Sequence, residues 1–186
     1  SSFDVLQLMR DIFESITFKD IVDCALDHAD VDLAELPDKT EALVRLVIEN
    51  LDKMPVNNLF EDPVIVPWYD MLEGITVRMI VDVIVELSGV SIPEKVYDCP
   101  LYIVYADAYI RDIIDNPEEY FNRFKDVTVG SMLIWALDLA GYEILYTNDF
   151  ETKFVNNLNN ITFGYFFDSS FDVLQLMRDI FESITF

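Results

Sequence analysis

The chain has 186 residues, with 12 basic against 35 acidic side chains, a formal net charge of −23 and a pI near 4.1. At 52% hydrophobic and 13% aromatic it has the material for a core, which excludes a disordered acidic tail. A surface this negative repels nucleic-acid phosphates, so direct binding of DNA or RNA through basic contacts is excluded and protein partners with a basic surface are favoured.

Taken in chain order, the opening stretch spaces Phe3, Leu6, Met9 or Arg10, Phe13 and Ile16 by three and four residues, which predicts an amphipathic helix over 3–15. Ser1 or Ser2 is its expected cap, and Asp4 suits the positive end of the helix dipole. Further helices are expected at 17–29, 39–54, 68–73, 76–88, 101–115, 117–125, 128–140 and 170–184. Asn116-Pro117-Glu118-Glu119 is the sharpest start signal, with a cap residue, Pro at the first helical position and two acids in the first turn. Pro37, Pro55, Pro63, Pro67, Pro93 and Pro100 fall between the periodic runs. Tyr142–Thr147 and Asn160–Phe167, rich in aromatic and β-branched residues, read as strands. The expected fold class is mainly α: a compact helical bundle of about eight helices, with one small β-hairpin near the C-terminal third.

Residues 1–18 recur without change at 169–186, at an offset of 169 − 1 = 168. Divergent copies do not stay identical, so the second is read as an engineered duplication or a swapped element. Identical helices have identical affinity for one groove; either one copy is displaced or the two dock at equivalent places. A homo-oligomer formed by exchange of the 1–18 or 169–186 helix is therefore an expectation. A fainter repeat aligns Met9–Leu33 with Trp68–Ile92, pairing Asp11/Asp70, Glu14/Glu73, Ile16/Ile75, Thr17/Thr76, Ile21/Ile80, Val22/Val81, Asp23/Asp82 and Val31/Val90. Tyr120–Ile144 continues it, with Thr128, Val129, Leu139, Gly141 and Ile144 answering Thr76, Val77, Leu87, Gly89 and Ile92. The shared device is a Thr N-cap, about three turns of helix, and a terminator; Gly89 and Gly141 suit the left-handed residue after a helix. With a boundary placed in Val56–Pro67, the organisation reads as an N-terminal helical unit at 1–62, a C-terminal helical unit with the hairpin at 63–168, and the duplicate at 169–186.

The run Phe13–Val22, then Ala25-Leu26, Val31–Pro37, Lys39–Val47 and Leu59-Phe60-Glu61, resembles the effector-associated domains of bacterial conflict systems. These are small helical adaptors of the death-like superfamily. In their pattern a helix ending in Phe precedes a second helix, a V/I-D-x-x-x-L-P link and a third helix with a Leu-Val core. The resemblance covers about residues 5–62. Asp30 stands where the family has glycine, and acids replace the basic residues of its last helix. What the resemblance implies is protein binding without catalysis.

The residues that carry chemistry are few. His28 is the one histidine, so multi-His metal sites are excluded and a triad has only one possible base; its place at a helix end suits a cation facing the negative dipole end. Asp27, Asp30, Asp32, Glu35 and Asp38 invite a calcium reading, but Ala34 occupies a ligand position and the loop lacks its glycine and distal Glu. No bound metal or cofactor is expected. Five glycines leave no phosphate-cradling motif, and acid pairs such as Asp70/Glu73 or Asp112/Asp115 are unremarkable among 35 acids. Trp68, Tyr69, Trp135 and Tyr142, like Met9, Met71, Met79 and Met132, are read as core. Cys24 and Cys99 are read as buried free thiols of a cytoplasmic protein. Asp82, Glu86 and Asp138 interrupt the apolar stretches before a bilayer could be crossed, and the opening residues do not form a signal peptide.

The expected function is that of a non-enzymatic, acidic helical adaptor. Asp23, Asp27, Asp30, Asp32, Glu35 and Asp38 are the candidate partner-binding residues, with Asp23, Asp27 and Asp30 on one side of the second helix. The alternative is an acidic inhibitor that mimics nucleic acid in the basic site of a nuclease or related enzyme.

Overall fold

A computed structural model describes residues 3–61, 68–89 and 93–185. In chain order it contains α1 (Val5–Ile12), α2 (Phe18–His28), α3 (Asp38–Asp52), α4 (Val77–Ser88), α5 (Pro93–Tyr97), α6 (Pro100–Tyr105) and α7 (Ile110–Asp115). There follow α8 (Pro117–Lys125), α9 (Val129–Leu139), α10 (Asp149–Asn159) and α11 (Val173–Ile180). Short 3-10 turns lie at Leu33–Glu35, Val56–Phe60, Asp70–Leu72 and Phe163–Phe167. The chain divides into two compact units, one of Ser1–Gly89 with Ala108–Ile114 and one of Val90–Asp107 with Asp115–Phe186.

The fold is mainly helical, as the periodicity predicts, but the described residues contain no strand and hence no hairpin. Tyr142–Thr147 is irregular, and Asn160–Phe167 is a three-residue link followed by a 3-10 turn. Between them lies α10. Asn148 accepts a hydrogen bond from the Glu151 N–H, and Glu151 turns back to accept from the Leu145 N–H at 2.7 Å. Those local bonds satisfy the backbone without a partner strand. The expected helix at 101–115 is broken between α6 and α7, because Ala108 and Ile110 use their backbone groups elsewhere. Asp4, rather than a serine before it, caps α1 by accepting from the Leu6 and Gln7 N–H groups. Ser1, Ser2, Pro63, Pro67, Val90 and Ile92, named in the sequence reading, lie outside the described residues.

The same short-range device occurs three times. Thr17, Thr76 and Thr128 cap α2, α4 and α9 with their hydroxyls, as the fainter repeat predicts. The first N–H of each helix then crosses to a second segment, which returns one bond. Phe18 donates to the Met54 carbonyl at 3.1 Å while Val56 donates to Ile16 at 2.9 Å. Val77 donates to Ala108 at 3.1 Å while Ile110 donates to Ile75 at 2.9 Å. Val129 donates to Ile161 at 2.8 Å while Phe163 donates to Val127 at 2.9 Å. Each pair forms an isolated antiparallel bridge, at Thr17/Pro55, Thr76/Tyr109 and Thr128/Thr162. It supplies an acceptor to a helix-start donor that has none within its own helix.

The core gathers at these bridges. Met54, Val56, Ile75, Ala108, Val127 and Ile161 are all buried and all lie within one residue of a bridging position. Ile48, Leu51, Val155 and Leu158, on the inner faces of α3 and α10, complete the clusters beside the first and third bridges. Among the described residues no large side chain is fully enclosed, so each cluster is small.

A second device links one motif to the next. Asn50, five residues before the bridging Pro55, donates its amide to the carbonyls of Met71 at 3.0 Å and Glu73 at 2.7 Å. Asn157, five residues before the bridging Thr162, donates to Ile180 at 3.0 Å and Glu182 at 2.8 Å. Met71 and Glu73 precede Thr76 by five and three residues, and Ile180 and Glu182 precede Thr185 by the same five and three. The duplicated segment thus occupies, against α10, the position that residues 71–73 occupy against α3. Between α6 and α8 a different group does the joining: the Tyr105 hydroxyl donates to the Tyr120 carbonyl at 2.6 Å.

Two stability outcomes follow. Asn50 is only 3% exposed, so Asn50→Ala leaves two carbonyls without their donor and should cost about 1–3 kcal/mol in denaturant unfolding; the half-buried Asn157→Ala should cost less. A Cβ on Gly130 would lie 2.2 Å from the Asn159 Oδ1 and 2.6 Å from the Asn159 backbone N. Gly130→Ala should therefore destabilise by roughly 1–3 kcal/mol or more by forcing α9 from the end of α10, measurable as a lowered midpoint.

Candidate interaction surface

The six acids selected from the sequence follow the path from α2 to α3. Asp23 lies on α2 and pairs with Lys19 one turn earlier. Asp27 is exposed in the last turn, and Asp30 just beyond it takes a left-handed backbone at φ 54°, which Asp tolerates better than most side chains. Asp32 caps the 3-10 turn by accepting from the Ala34 N–H at 2.9 Å, Glu35 sits within that turn, and Asp38 opens α3. The connection is an acidic edge in which Asp23 and Asp32 have local structural work. Among the described residues no three His, Cys, Asp or Glu side chains are placed to hold a metal ion.

His28 lies in the last turn of α2, as expected, with Nδ1 2.8 Å from the Cys24 carbonyl oxygen. A carbonyl only accepts, so the proton of this contact sits on Nδ1. The thiols are free but not buried: Cys24 is exposed and Cys99 half-buried, because α2 turns only one side inward. The aromatic expectation also needs correction. Trp68 is 54% and Tyr142 49% exposed; Tyr69 lies beneath the Arg111 guanidinium at 4.3 Å, and Trp135 donates its indole N–H to the Lys95 carbonyl at 2.7 Å. Met79 is likewise exposed, lining the groove between α3 and α4.

A cleft of about 530 Å³ lies in the second unit, between α5, α9 and the segment after it. Lys95, Asp138, Tyr142, Glu143 and Tyr146 supply its polar groups, and Ile134 and Ile144 its apolar lining. The amine of Lys95 is already engaged, donating to the Asp138 carbonyl at 2.7 Å and standing 3.5 Å from its carboxylate. Tyr142 donates its hydroxyl to Glu151, and that bond to a carboxylate, followed by the carboxylate's charge, holds the phenol above its ordinary pKa. Tyr146 and Glu143 are exposed at the mouth. No nucleophile and base stand together here; carboxylates and tyrosine faces instead suit a cationic side chain.

In the first unit a groove of about 300 Å³ runs between α3 and α4, floored by Ala42, Leu43 and Leu46. Its packing is fixed by Glu86 of α4, which serves as the missing cap of α3. Pro37 has no side-chain acceptor to offer, and the Glu86 carboxylate accepts from the Lys39 N–H at 3.0 Å, the Thr40 N–H at 2.7 Å and the Thr40 hydroxyl at 2.9 Å. Burial pushes its pKa up, but these hydrogen bonds together prevail and hold it below the ordinary carboxylate value. Nearby, Glu73 is lowered by its hydrogen bond and ion pair with Lys53 at 3.0 Å, and further by Arg111 at 3.9 Å.

Sequence reasoning passed over Asn50, Asn157 and Glu151, and took Glu86 only as a break in an apolar stretch. The two asparagines carried a usable signal, a common spacing of five before Pro55 and Thr162. Glu86 carried none, because its partners lie 46 and 47 residues away.

No family model matches the chain, nor does any curated protein or solved structure. No described helix is long and apolar enough to cross a membrane.

Because the folded Glu86 pKa is depressed, its stabilisation is present above the unfolded carboxylate range and is lost as pH falls through the folded value. Unfolding of the parent chain and Glu86→Gln should therefore differ most near neutrality and converge in acid. A gap that persists unchanged to low pH would assign the effect to shape rather than charge.

Proposed function

We propose that this chain is a non-enzymatic protein-binding module, an acidic helical adaptor whose partner presents basic side chains. The observation that carries the reading is the cleft beside α9, where exposed tyrosine faces and carboxylates converge and its amine is already engaged by Asp138. The net charge of −23 draws a basic partner toward any face of the molecule; the cleft supplies shape. Asp23, Asp27, Asp30, Asp32, Glu35 and Asp38 offer a second acidic contact along the α2–α3 connection. The resemblance of residues 5–62 to small helical adaptors points the same way. The polar groups of the cleft support capture rather than bond making, since each that is tied down is tied to a structural neighbour.

The test uses a fluorescent arginine-rich peptide titrated by anisotropy at several salt concentrations. Saturable binding should weaken with salt, and Tyr146→Ala should lower affinity several-fold, in line with about 1 kcal/mol for a cation over an aromatic face. Glu143→Lys should lower it further. Binding indifferent to both substitutions would reduce the interaction to diffuse charge and overturn the assignment of the cleft. The nucleic-acid-mimic alternative predicts instead that charge reversal at Asp27, Asp30 and Asp32 releases a nucleic-acid enzyme, and that duplex DNA competes for it.

A further inference from the structure

We propose that α11 is a docking element for a second copy of this chain: it enters the groove that α1 fills in that copy, joining copies head to tail. The two identical helices bury different sides. In α1, Met9, Arg10 and Phe13 are half-buried; the Arg10 guanidinium donates to the Phe60 carbonyl at 2.8 Å, and Phe13 stacks on the Phe60 ring at 5.7 Å. In α11 the corresponding Met177 is 47% exposed, Arg178 is exposed and Phe181, which touches Phe154, is still 36% exposed.

The adjoining side shows the converse. Ile12 is 55% exposed on α1, whereas its counterpart Ile180 is half-buried on α11, where Asn157 holds the Ile180 and Glu182 carbonyls. One helix of this sequence can therefore carry both contacts, Asn157 on the Ile180 and Glu182 carbonyls and residue 60 of a second copy on the adjoining side that bears Met177 and Arg178. The interface so formed is the α1 interface already present in the chain, repeated residue for residue. The third motif carries a related aromatic pairing: Phe124 stands four residues before Thr128 and Phe167 five after Thr162, spacings equal to those of Phe13 and Phe60, and their rings lie 6.1 Å apart. On docking, the Ile184 carbonyl takes the place of Ile16 as acceptor for the Val56 N–H of the second copy, whose own α1 is released. Such a contact is heterologous, using different surfaces on the two chains, and builds closed rings or open chains according to the rotation between successive copies.

The two helices can be altered separately in the full chain, with opposite expectations. Met9→Glu with Arg10→Glu loosens α1 and frees the groove; sedimentation across a concentration series should show mass rising from one chain to several. Met177→Glu with Arg178→Glu changes exposed positions only and should leave single chains at every concentration, as should all four substitutions combined. Association that survives in the fourfold variant, or a Met9/Arg10 variant that stays a single chain with its helical circular dichroism intact, overturns the proposal. A covalent trap gives an independent reading: F60C with F181C, in a chain also carrying C24S and C99S, should oxidise to products of two or more chains. A disulfide confined to single chains, or none, also overturns it.

Discussion

The structure depends on a reciprocal pair of backbone hydrogen bonds at the start of a helix. A helix begins with N–H groups that have no acceptor of their own, and here the first of them finds a carbonyl in a segment far along the chain. The return bond fixes that segment's register to within one residue. Apolar side chains on either side of the pair are then forced together, which is why Met54, Val56, Ile75, Ala108, Val127 and Ile161 are buried. A threonine suits the site because its hydroxyl caps the third helical N–H while its extended backbone makes the bridge.

From that constraint the rest of the architecture is assembled by short polar links between motifs. Asn50 and Asn157 each close over the carbonyls of the turn or helix that follows, and Glu86 reaches from α4 to finish the open end of α3. Among the described residues these groups hold neighbouring elements with no large side chain fully enclosed. Much apolar surface consequently remains outside, including Ile84, Leu87, Ile103 and Leu174. A binding role accommodates such a surface more readily than a reaction requiring an enclosed pocket.

What could be read from the sequence was whatever is local. Helices with three-four spacing, Pro117 at a helix start, the three threonine caps and the left-handed Gly89 and Gly141 all depend on neighbours within a few residues. The hairpin at 142–167 failed for the same reason: aromatic and β-branched residues favour a pleated, half-buried surface, but they cannot announce a partner strand. Glu151 and Asn148 organised that region by local bonds, and the aromatic residues became a turn and a cleft wall. The candidate surface was legible only as charge. Its Tyr142 was assigned to a core because spacing cannot show the exposure of the loop that follows a short helix.

The bridges are only one residue pair long, and this has a bearing on solubility. A sheet presents a row of free donors and acceptors along its margin, and a chain so rich in Phe and Tyr would be at hazard there of templating fibrils. Among the described residues each pairing stops as soon as it starts, because a helix takes over the backbone on at least one side. There is no ladder to lengthen, and like charge keeps neighbouring molecules apart wherever a specific contact does not draw them together.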